Sequence, residues 1–331
     1  MKKNNGTQTS RKISTQMIVV VAVAIALAAF FSIVSPIFRK WATIVTTFDS
    51  FYYFMFMAIG VTFCLISGGN DLSVGTGTVC YALIGGFAIA HGAPTWVGML
   101  ICIVLGLIIG CLNGFLVAVM NLPAFIATLC TMLVTRGLGS VVSGGSVTWP
   151  SRSADNGWFR SIFKIFIKNA AGKKVPIPIG IILVIVAIVV MSIVLKKTHT
   201  GRYIIAIGSN KEAARLSGVN VVKYQAMAYV ISGLFAGIAA IAYVCATSSS
   251  ITPGSGGGLE LDAIGGAIIG GTSMTGGTGS ILGTFFGVII LTLLKNGLPK
   301  IGLNAEWQSI ITGAILIGAI WLDVIRNRKK A

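Results

Sequence analysis

Apolar stretches of about 20 residues recur along this chain, and they constrain its fold more than any other feature. Such a stretch crosses a bilayer as a helix, because a helix satisfies its own backbone hydrogen bonds where water is absent. The alternating pattern of a transmembrane β-barrel does not occur in the sequence. Only 10% of the residues are charged, against about a quarter in soluble domains. The sequence therefore predicts an all-α polytopic membrane protein.

About ten transmembrane helices can be placed in the 331 residues, several of them short or interrupted by glycine. The first apolar run is longer than the roughly 7–15 residues of a signal-peptide core, so an uncleaved span is predicted. One transmembrane domain, residues 17–325, then lies between an N-terminal tail (1–16) and a C-terminal tail (326–331). The predicted spans are residues 17–36, 49–67, 73–91, 95–119, 124–143, 177–195, 225–246, 260–272, 280–297 and 306–325.

Basic residues predict the orientation of these spans. An even number of spans puts both termini on one side of the membrane, together with the loop at residues 196–223. The positive-inside rule makes that side the cytoplasm, and the net charge of +17 is then explained without a nucleic-acid site. The basic residues concerned are Lys2, Lys3, Arg11, Lys12, Lys196, Lys197, Arg202, Lys211, Arg215, Lys223, Arg326, Arg328, Lys329 and Lys330.

The loop at residues 144–176 is also basic, although the span count places it outside the cell. Within it, the stretch "DNGWFRSIFKIFIKN" has Trp158, Ile162, Ile165 and Phe166 near helical spacing, with basic residues between them. This pattern is typical of an amphipathic helix lying on a membrane surface. We therefore expect such a helix on the outer face. The basic residues of this loop are Arg152, Arg160, Lys164, Lys168, Lys173 and Lys174.

The loop at residues 196–223 contains a polar segment, "GSNKEAARLSGVN", in otherwise apolar surroundings. Ser209 followed three residues later by Glu212 forms a capping-box pattern, and Gly218 is a typical helix stop. The pattern predicts a helix of about two turns, which is marginal alone in water. Such a helix is either a connector lying on the membrane or an element that docks against a partner.

A second polar segment, "SGGNDLSVGTGT", interrupts the hydrophobic pattern between the second and third spans. Its Asp71 is either an N-terminal cap for the following helix or a functional charge, because a carboxylate in a membrane is costly. A shift of 202 residues places Gly68 on Gly270 and Gly75 on Gly277. Paired glycine-interrupted segments are typical of transporter pathways. Convergence in a chain with 42 glycines explains the pattern as well.

Polar residues in the fourth and fifth spans form a further candidate set. Thr128, Thr131 and Thr135 lie about one turn apart, so that one helix face carries hydroxyl groups. These groups either line a route for a polar solute or bond to their own helix carbonyls. Arg136 is expected to pair with a backbone carbonyl or to sit near the headgroups. The candidate pathway residues are Asn70, Asp71, Ser73, Asn113, Thr128, Thr131 and Thr275.

Enzyme signatures are missing from the sequence. It contains no G-x-x-x-x-G-K-[ST] phosphate-binding motif, and its two histidines fall near span ends. The six cysteines lie in apolar stretches without a C-x-x-C pair, as expected of buried free thiols. We expect no metal, cofactor or catalytic residue on this chain.

Four separated segments resemble bacterial ATP-binding-cassette (ABC) importer permeases of the ribose, xylose, arabinose and galactose type. The resemblance covers residues 48–323, and the segments occur in the family's order. They are "SGGNDLSVGT", "CLNGFLVAVMNLPAFIATLCTMLVTRGL", "GRYIIAIGSNKEAARLSGVNV" and "DAIGGAIIGGTSMTGGTGSILGTFFG".

The resemblance implies a permease of the bacterial inner membrane that imports a monosaccharide and is not itself an enzyme. ATP and magnesium would bind a partner ATPase, a second permease subunit would complete a homodimer, and an extracytoplasmic binding protein would deliver the sugar. The short polar helix would be the coupling helix that docks in a groove of the ATPase. Its residues would be Ser209, Asn210, Lys211, Glu212, Ala213, Ala214, Arg215 and Gly218.

An ion-coupled secondary transporter of a small polar solute is the alternative. Broken helices and Asp71 are compatible with it, but the short polar helix then has no purpose. An intramembrane enzyme is a third class, and no catalytic constellation supports it.

Overall fold

The computed structural model describes residues 15–169, 172–247 and 250–328. The tail predicted at 1–16 lies almost wholly outside the described residues, whereas residues 326–328 of the tail predicted at 326–331 form the end of the last helix. Within the described ranges the chain is mostly helical, with two short two-stranded sheets. The α-helices are α1 (Thr15–Val34), α2 (Trp41–Ile66), α3 (Val74–Ala90), α4 (Thr95–Gly114), α5 (Ala124–Ser143), α6 (Gly180–Lys197), α7 (His199–Ser209), α8 (Lys211–Leu216), α9 (Val221–Ala246), α10 (Leu259–Ile269), α11 (Ile281–Gly297) and α12 (Ala305–Arg328).

The predicted spans correspond to helices at all ten positions, which confirms the fold class. Among the described residues, seven helices are long and apolar enough to cross a membrane: α1, α2, α4 with its π-helical end, α5, α6, α9, and α11 together with the 3₁₀ helix Leu298–Ile301 that follows it. The other three predicted spans are α3, α10 and α12. Helices α3 and α10 have 17 and 11 residues, and each is adjacent to an irregular segment. Their shortness therefore reflects the interruptions of the hydrophobic pattern.

Helices α2 and α9 form the centre of the bundle, and α4 packs closely on α9. From Phe51 to Ile66 every residue of α2 is buried. The α4–α9 contact depends on small residues, because the two backbones approach each other directly. A Cβ built on Gly233 of α9 would overlap the carbonyl oxygen of Gly106 on α4. This close approach is the packing expected of helices in a membrane, where van der Waals contact replaces the hydrophobic effect.

The loop after α5 does not contain the predicted amphipathic helix, so that prediction is wrong. Residues Gly157–Ile162 form a 3₁₀ helix. Strands β2 (Ile165–Lys168) and β3 (Lys174–Ile177) then pair as an antiparallel hairpin. The pairing with β3 satisfies the backbone of β2, which a sequence window around β2 cannot reveal. A second strand pair, β1 (Val147–Thr148) with β4 (Ser250–Ile251), joins this loop to the segment after α9.

Arg160 holds the same loop against the end of α9. Its guanidinium is buried and donates hydrogen bonds to the carbonyl oxygens of Val244 at 3.1 Å and Thr247 at 3.2 Å. It also donates to the carbonyl oxygen of Pro150 at 2.9 Å. An amphipathic helix would have pointed this side chain toward water, whereas here it satisfies carbonyl groups that α9 leaves unpaired at its C-terminus.

Candidate functional site

Helix α8 confirms the predicted short helix but begins one residue later than the capping-box pattern indicates. Ser209 still belongs to α7, and its hydroxyl donates to the carbonyl oxygen of Ile205 at 3.0 Å. The prediction of Ser209 as the cap is therefore wrong. Asn210 is the N-cap, with extended backbone, and its Oδ1 accepts a hydrogen bond from Ala213 N at 2.9 Å. Serine and asparagine both cap helices well, so which of the two caps α8 depends on the residue at which α7 ends.

The C-terminal end of α8 confirms Gly218 as the stop. Gly218 has a φ of 80°, a left-handed conformation that costs glycine no steric energy. Its N–H donates to Arg215 O at 3.0 Å, and Val219 N donates to Ala214 O at 3.1 Å. These two bonds form a Schellman motif, with Val219 and Ala214 in apolar contact as usual in that motif. Helix α8 is thus fixed at both ends.

The outer surface of α8 is free of contacts with the rest of the described chain. Ala214 is the residue of α8 that faces inward, against Ile207 and Val221. Glu212 and Arg215 form an exposed ion pair at 2.9 Å, and Leu216 is 84% exposed. A cleft of about 680 Å³ lies between α7 and α8. Its lining includes His199, Arg202, Tyr203, Asn210, Ala213 and Ser217. These features form a charged surface with one large apolar side chain.

The end of α7 joins α8 to the two irregular segments inside the bundle. We call residues 67–73 the first break and residues 270–280 the second break. Gly277 N of the second break donates to the carbonyl oxygen of Ile66, next to the first break, at 2.9 Å. Gly208 of α7 lies against both: a Cβ there would overlap Ile66 O and lie 2.6 Å from Gly277 N. Only glycine fits at this three-way contact, which we call the Gly208 junction.

The two breaks begin with the same local structure. Gly68 has a φ of 83°, and Gly68 N and Gly69 N donate to Leu65 O and Cys64 O. Gly271 has a φ of 93°, and Gly271 N and Thr272 N donate to Ile268 O and Ala267 O. Both are Schellman motifs. The structural match pairs Gly68 with Gly271, so the shift of 202 residues read from the sequence is one residue too short.

Asp71 in the first break is the centre of a buried hydrogen-bond network. Its Oδ1 accepts from Ser73 N at 3.0 Å and Ser73 Oγ at 2.6 Å. Its Oδ2 accepts from Ser232 Oγ of α9 at 2.7 Å. Asn113 Nδ2 of α4 donates to Ser73 Oγ at 2.9 Å, and Thr131 Oγ1 of α5 donates to Asn113 Oδ1 at 2.7 Å. The network therefore ties the first break to three helices.

The structure brings four of the seven predicted pathway residues together, namely Asp71, Ser73, Asn113 and Thr131. All four are at most 3% exposed, and their hydrogen bonds connect helices to one another. Asp71 accepts the N–H of the residue before α3, which is the contact expected of a cap, and it bonds to α9 as well. That these residues line a solute route stays a prediction.

The other three predicted pathway residues lie outside this network. Thr128 bonds to its own helix, through the carbonyl oxygen of Ala124 at 2.8 Å. The side chain of Asn70 accepts the N–H of Asp71 at 2.9 Å. Thr275 is exposed in the second break, with its hydroxyl 2.9 Å from Ser273 Oγ.

Asp323 and Gly208 are residues that sequence reasoning missed. Asp323 Oδ2 on α12 accepts from Ser273 Oγ at 2.9 Å and from Met274 N at 3.2 Å, and it thereby holds the second break. The sequence signal for Asp323 was a lone carboxylate near the end of an apolar helix, a position where a charge is costly. Gly208 had no comparable signal, because its importance comes from neighbours that are distant in sequence. Among the described residues, no group of three His, Cys, Asp or Glu side chains could hold a metal ion.

Comparisons with known proteins point to one kind of transporter. A family model described as "Branched-chain amino acid transport system / permease component" matches residues 43–320. The ribose import permease protein of Escherichia coli is 35% identical over 92% of this chain and 93% of its own length. The fructose import permease protein of Bifidobacterium longum is 34% identical over 80% of this chain and 77% of its own. The xylose transport system permease protein of Haemophilus influenzae is 32% identical over 83% and 86%. No solved structure matches the chain.

Proposed function

The chain belongs to the family of ABC-type sugar import permeases, and from that premise we propose that it is the membrane-spanning subunit of a monosaccharide importer. In this proposal separate ATPase subunits bind ATP and magnesium and drive the transport. A second copy of the chain completes the membrane pathway, and an extracytoplasmic binding protein delivers the sugar. Both termini and helix α8 face the cytoplasm of a bacterial cell.

The connection between α8 and both breaks is the observation that carries this proposal. Helix α8 is capped at both ends, so a push on its surface moves it as a unit rather than bending it. Helix α8 directly follows α7 in the chain, and α7 contacts the first and second breaks together at the Gly208 junction. Movement of α8 therefore reaches two irregular segments, which deform more easily than intact helices. An ATPase that docks on α8 would drive the bundle in this way.

The surface of α8 also fits a protein partner. Its exposed charges have both signs, at Lys211, Glu212 and Arg215, and Leu216 supplies an apolar anchor. A partner helix or loop can lie in the cleft between α7 and α8. Complementary charges at the rim set the orientation of such a contact, and buried apolar side chains supply more of its affinity.

A monosaccharide is the proposed solute because the relatives named above carry ribose, fructose or xylose in their names. The family description mentions branched-chain amino acids, so leucine is the natural competing solute in a transport assay. Selectivity among sugars is proposed to lie mainly in the binding protein, which is a different chain.

Ion-coupled transport is the competing function, and Asp71 is the residue on which it would depend. A coupling ion or proton would have to reach this carboxylate. Asp71 is 1% exposed, and both of its oxygens accept hydrogen bonds from serine hydroxyls. These contacts favour a role in helix packing.

Copurification tests the proposed partnership. The tagged chain is extracted from membranes in a mild detergent, and its copurifying proteins are identified together with their ATP hydrolysis. An ATPase at a fixed ratio to the permease is expected. The Leu216→Asp variant, changed on the exposed surface of α8, should lose this partner. Trp158→Asp, in the loop after α5, where the tryptophan is 53% exposed, is the control and should keep the partner. A purified chain that is active in transport without any ATPase would contradict the proposal.

A further inference from the structure

The segment between α9 and α10 carries an irregular stretch into the bundle. Gly256 packs on the first turns of α3, since a Cβ there would lie 2.8 Å from Gly75 O and 3.1 Å from Thr76 Cα. Helix α3 continues to Ala90, and with a rise of about 1.5 Å per residue this contact is roughly 20 Å from its far end. The hydrocarbon core of a bilayer is about 30 Å thick. With α3 taken as the third predicted span, Gly256 lies at membrane depth.

The same stretch is exposed on the surface of the chain. Gly254, Ser255 and Gly257 are all exposed, and none of them belongs to a helix or strand. Backbone of this kind cannot face lipid, because its N–H and C=O groups would lose their hydrogen bonds to water without replacement. At membrane depth it must be covered by protein or line a wet cavity.

Arg136 on α5 stands beside this stretch. Arg136, Gly254 and Gly256 line one small cavity together with Thr76 and Thr135, whose hydroxyl oxygens are 2.9 Å apart. The side chain of Arg136 is exposed, and no acidic side chain of the described residues forms an ion pair with it. Seven residues separate Arg136 from the end of α5 at Ser143, about 10 Å along the helix axis. A charge at this position needs water or polar partners.

Four of the eight acidic residues of the chain are already held by other groups and would not be free to pair with Arg136 of a second copy. Asp49 and Asp262 form ion pairs with Lys164 and Lys295, and Asp71 and Asp323 accept the hydrogen bonds given above. A two-fold dimer also brings a second Arg136, so a dry contact near the axis would place like charges together. Water or a polar solute between the copies avoids this repulsion.

Glu260, at the start of α10, has an oxygen that lacks a protein partner. Its side chain is 7% exposed. Oε1 accepts from Gly258 N at 3.1 Å, while Oε2 has no hydrogen bond within the described part of the chain. A Cβ built on Gly75 would meet this oxygen, so it lies against the first turn of α3. Buried polar atoms of this kind are satisfied by water or by a ligand.

We propose that Arg136 and the exposed backbone at 254–257 line the route of the solute, with the guanidinium donating hydrogen bonds to its hydroxyl oxygens. The choice of a neutral polyhydroxy solute rests on the proposed function. Arginine has five N–H donors and no acceptor, and it therefore suits hydroxyl oxygens without requiring a negative charge on the solute. The carbonyl oxygens of Gly254 and Gly256 already accept from Gly257 N and Leu259 N, so the carbonyl groups of Ser255 and Gly257 are the ones proposed to accept from the hydroxyl hydrogens.

Cysteine accessibility tests whether the stretch at 254–257 is in contact with water. Gly257→Cys is placed in a cysteine-free variant that still transports, because a Cβ there meets nothing closer than Gly254 O at 3.8 Å. Val186→Cys on α6, where valine is 54% exposed, is the lipid-facing control. A charged, water-soluble thiol reagent should modify the cysteine at 257, and excess sugar should slow the reaction, whereas position 186 should not react. No reaction at 257 during ATP-driven transport would overturn the proposal, as would cross-linking between two copies at 257 without any reagent access.

Substitutions of Arg136 test its contact with the solute. Arg136→Met should reduce sugar uptake by about tenfold or more, as expected from the loss of hydrogen bonds to a charged donor, and Arg136→Lys should retain part of it. Leu133→Met on the same helix is the matched control and should transport normally. Normal uptake by Arg136→Met would overturn the assignment. Failure of the wild-type complex to move any sugar with ATP would instead contradict the proposed function, and reagent access at 257 would still report whether this surface is wet.

Discussion

The N–H of Gly277 donates a hydrogen bond of 2.9 Å to the carbonyl oxygen of Ile66, and through it the two interrupted regions of the bundle touch. Ile66 is the last residue of α2, and Gly277 lies in the second break before α11. Gly208 at the end of α7 closes over the same contact. One backbone hydrogen bond and one glycine therefore link both breaks to the segment that leads into α8.

Gly208→Ala is expected to lower ATP-driven transport by about tenfold or more, because the added methyl group overlaps Ile66 O and overpacking of this kind is destabilising. Helix propensity alone would favour alanine in α7 by about 1 kcal/mol. A loss of transport would therefore come from the contacts at the Gly208 junction. Gly313→Ala on α12, where a Cβ meets nothing within 4 Å, is the control. Uptake by reconstituted complexes, normalised to the amount of permease, measures the effect. Equal uptake by both variants would show that the junction does not matter.

Asp71→Asn is expected to keep most of the transport activity. Asparagine caps a helix about as well as aspartate, and its amide group can donate to Ser232 Oγ in place of accepting from it. Asp71→Ala should instead lower the thermal stability of the purified protein, because it leaves buried donors of Ser73 and Ser232 unpaired at a cost of about 1–3 kcal/mol each. Thermal unfolding and uptake are measured on both variants. An Asp71→Asn protein that is stable but inactive would favour a functional charge and ion coupling.

Asn210→Ala is expected to weaken the start of α8 by about 1 kcal/mol, the usual effect of losing a cap. Sugar-stimulated ATP hydrolysis by the assembled complex should fall, and Asn210→Asp should restore it. Ser209→Ala is the matched control, since Ser209 belongs to α7 and caps nothing. If Ser209→Ala were the harmful change and Asn210→Ala harmless, the observed start of α8 would be wrong for the functional complex.

Single cysteines at residues 212 and 156 test the proposed orientation. Glu212 and Asn156 are both exposed and lie in loops at opposite ends of α6. In a cysteine-free variant, an impermeant reagent added outside intact cells should label position 156 and spare position 212. Inside-out vesicles should give the reverse pattern, which serves as the control for reactivity. Labelling of position 212 from outside intact cells would show that the proposed orientation is wrong.

Hydropathy predicted the helices well because membrane burial acts on each apolar stretch locally. The ends of α8 were predicted to within one residue, since capping also depends on neighbours in sequence. Ser209 was wrong only because α7 extends through it. The hairpin of β2 and β3 was missed because strand pairing depends on residues that lie outside the periodic segment.

The candidate sites were less predictable, because contacts distant in sequence decide them. Asp71 was singled out by its charge, but its partner Ser232 lies 161 residues away. Gly208 is one of 42 glycines, and only its distance to Ile66 and Gly277 distinguishes it. Arg136 was expected to have a carbonyl partner or to lie near the headgroups. Its position beside the exposed stretch at 254–257 became visible only with the fold.

Uptake of labelled sugar into proteoliposomes tests the central claim most directly. The permease is reconstituted with its copurifying ATPase and binding protein, and ribose, xylose and fructose are compared with leucine. We predict accumulation of a monosaccharide that requires ATP and is unchanged when ion gradients are dissipated. Uptake by the permease alone, driven by an ion gradient and independent of ATP, would contradict the account.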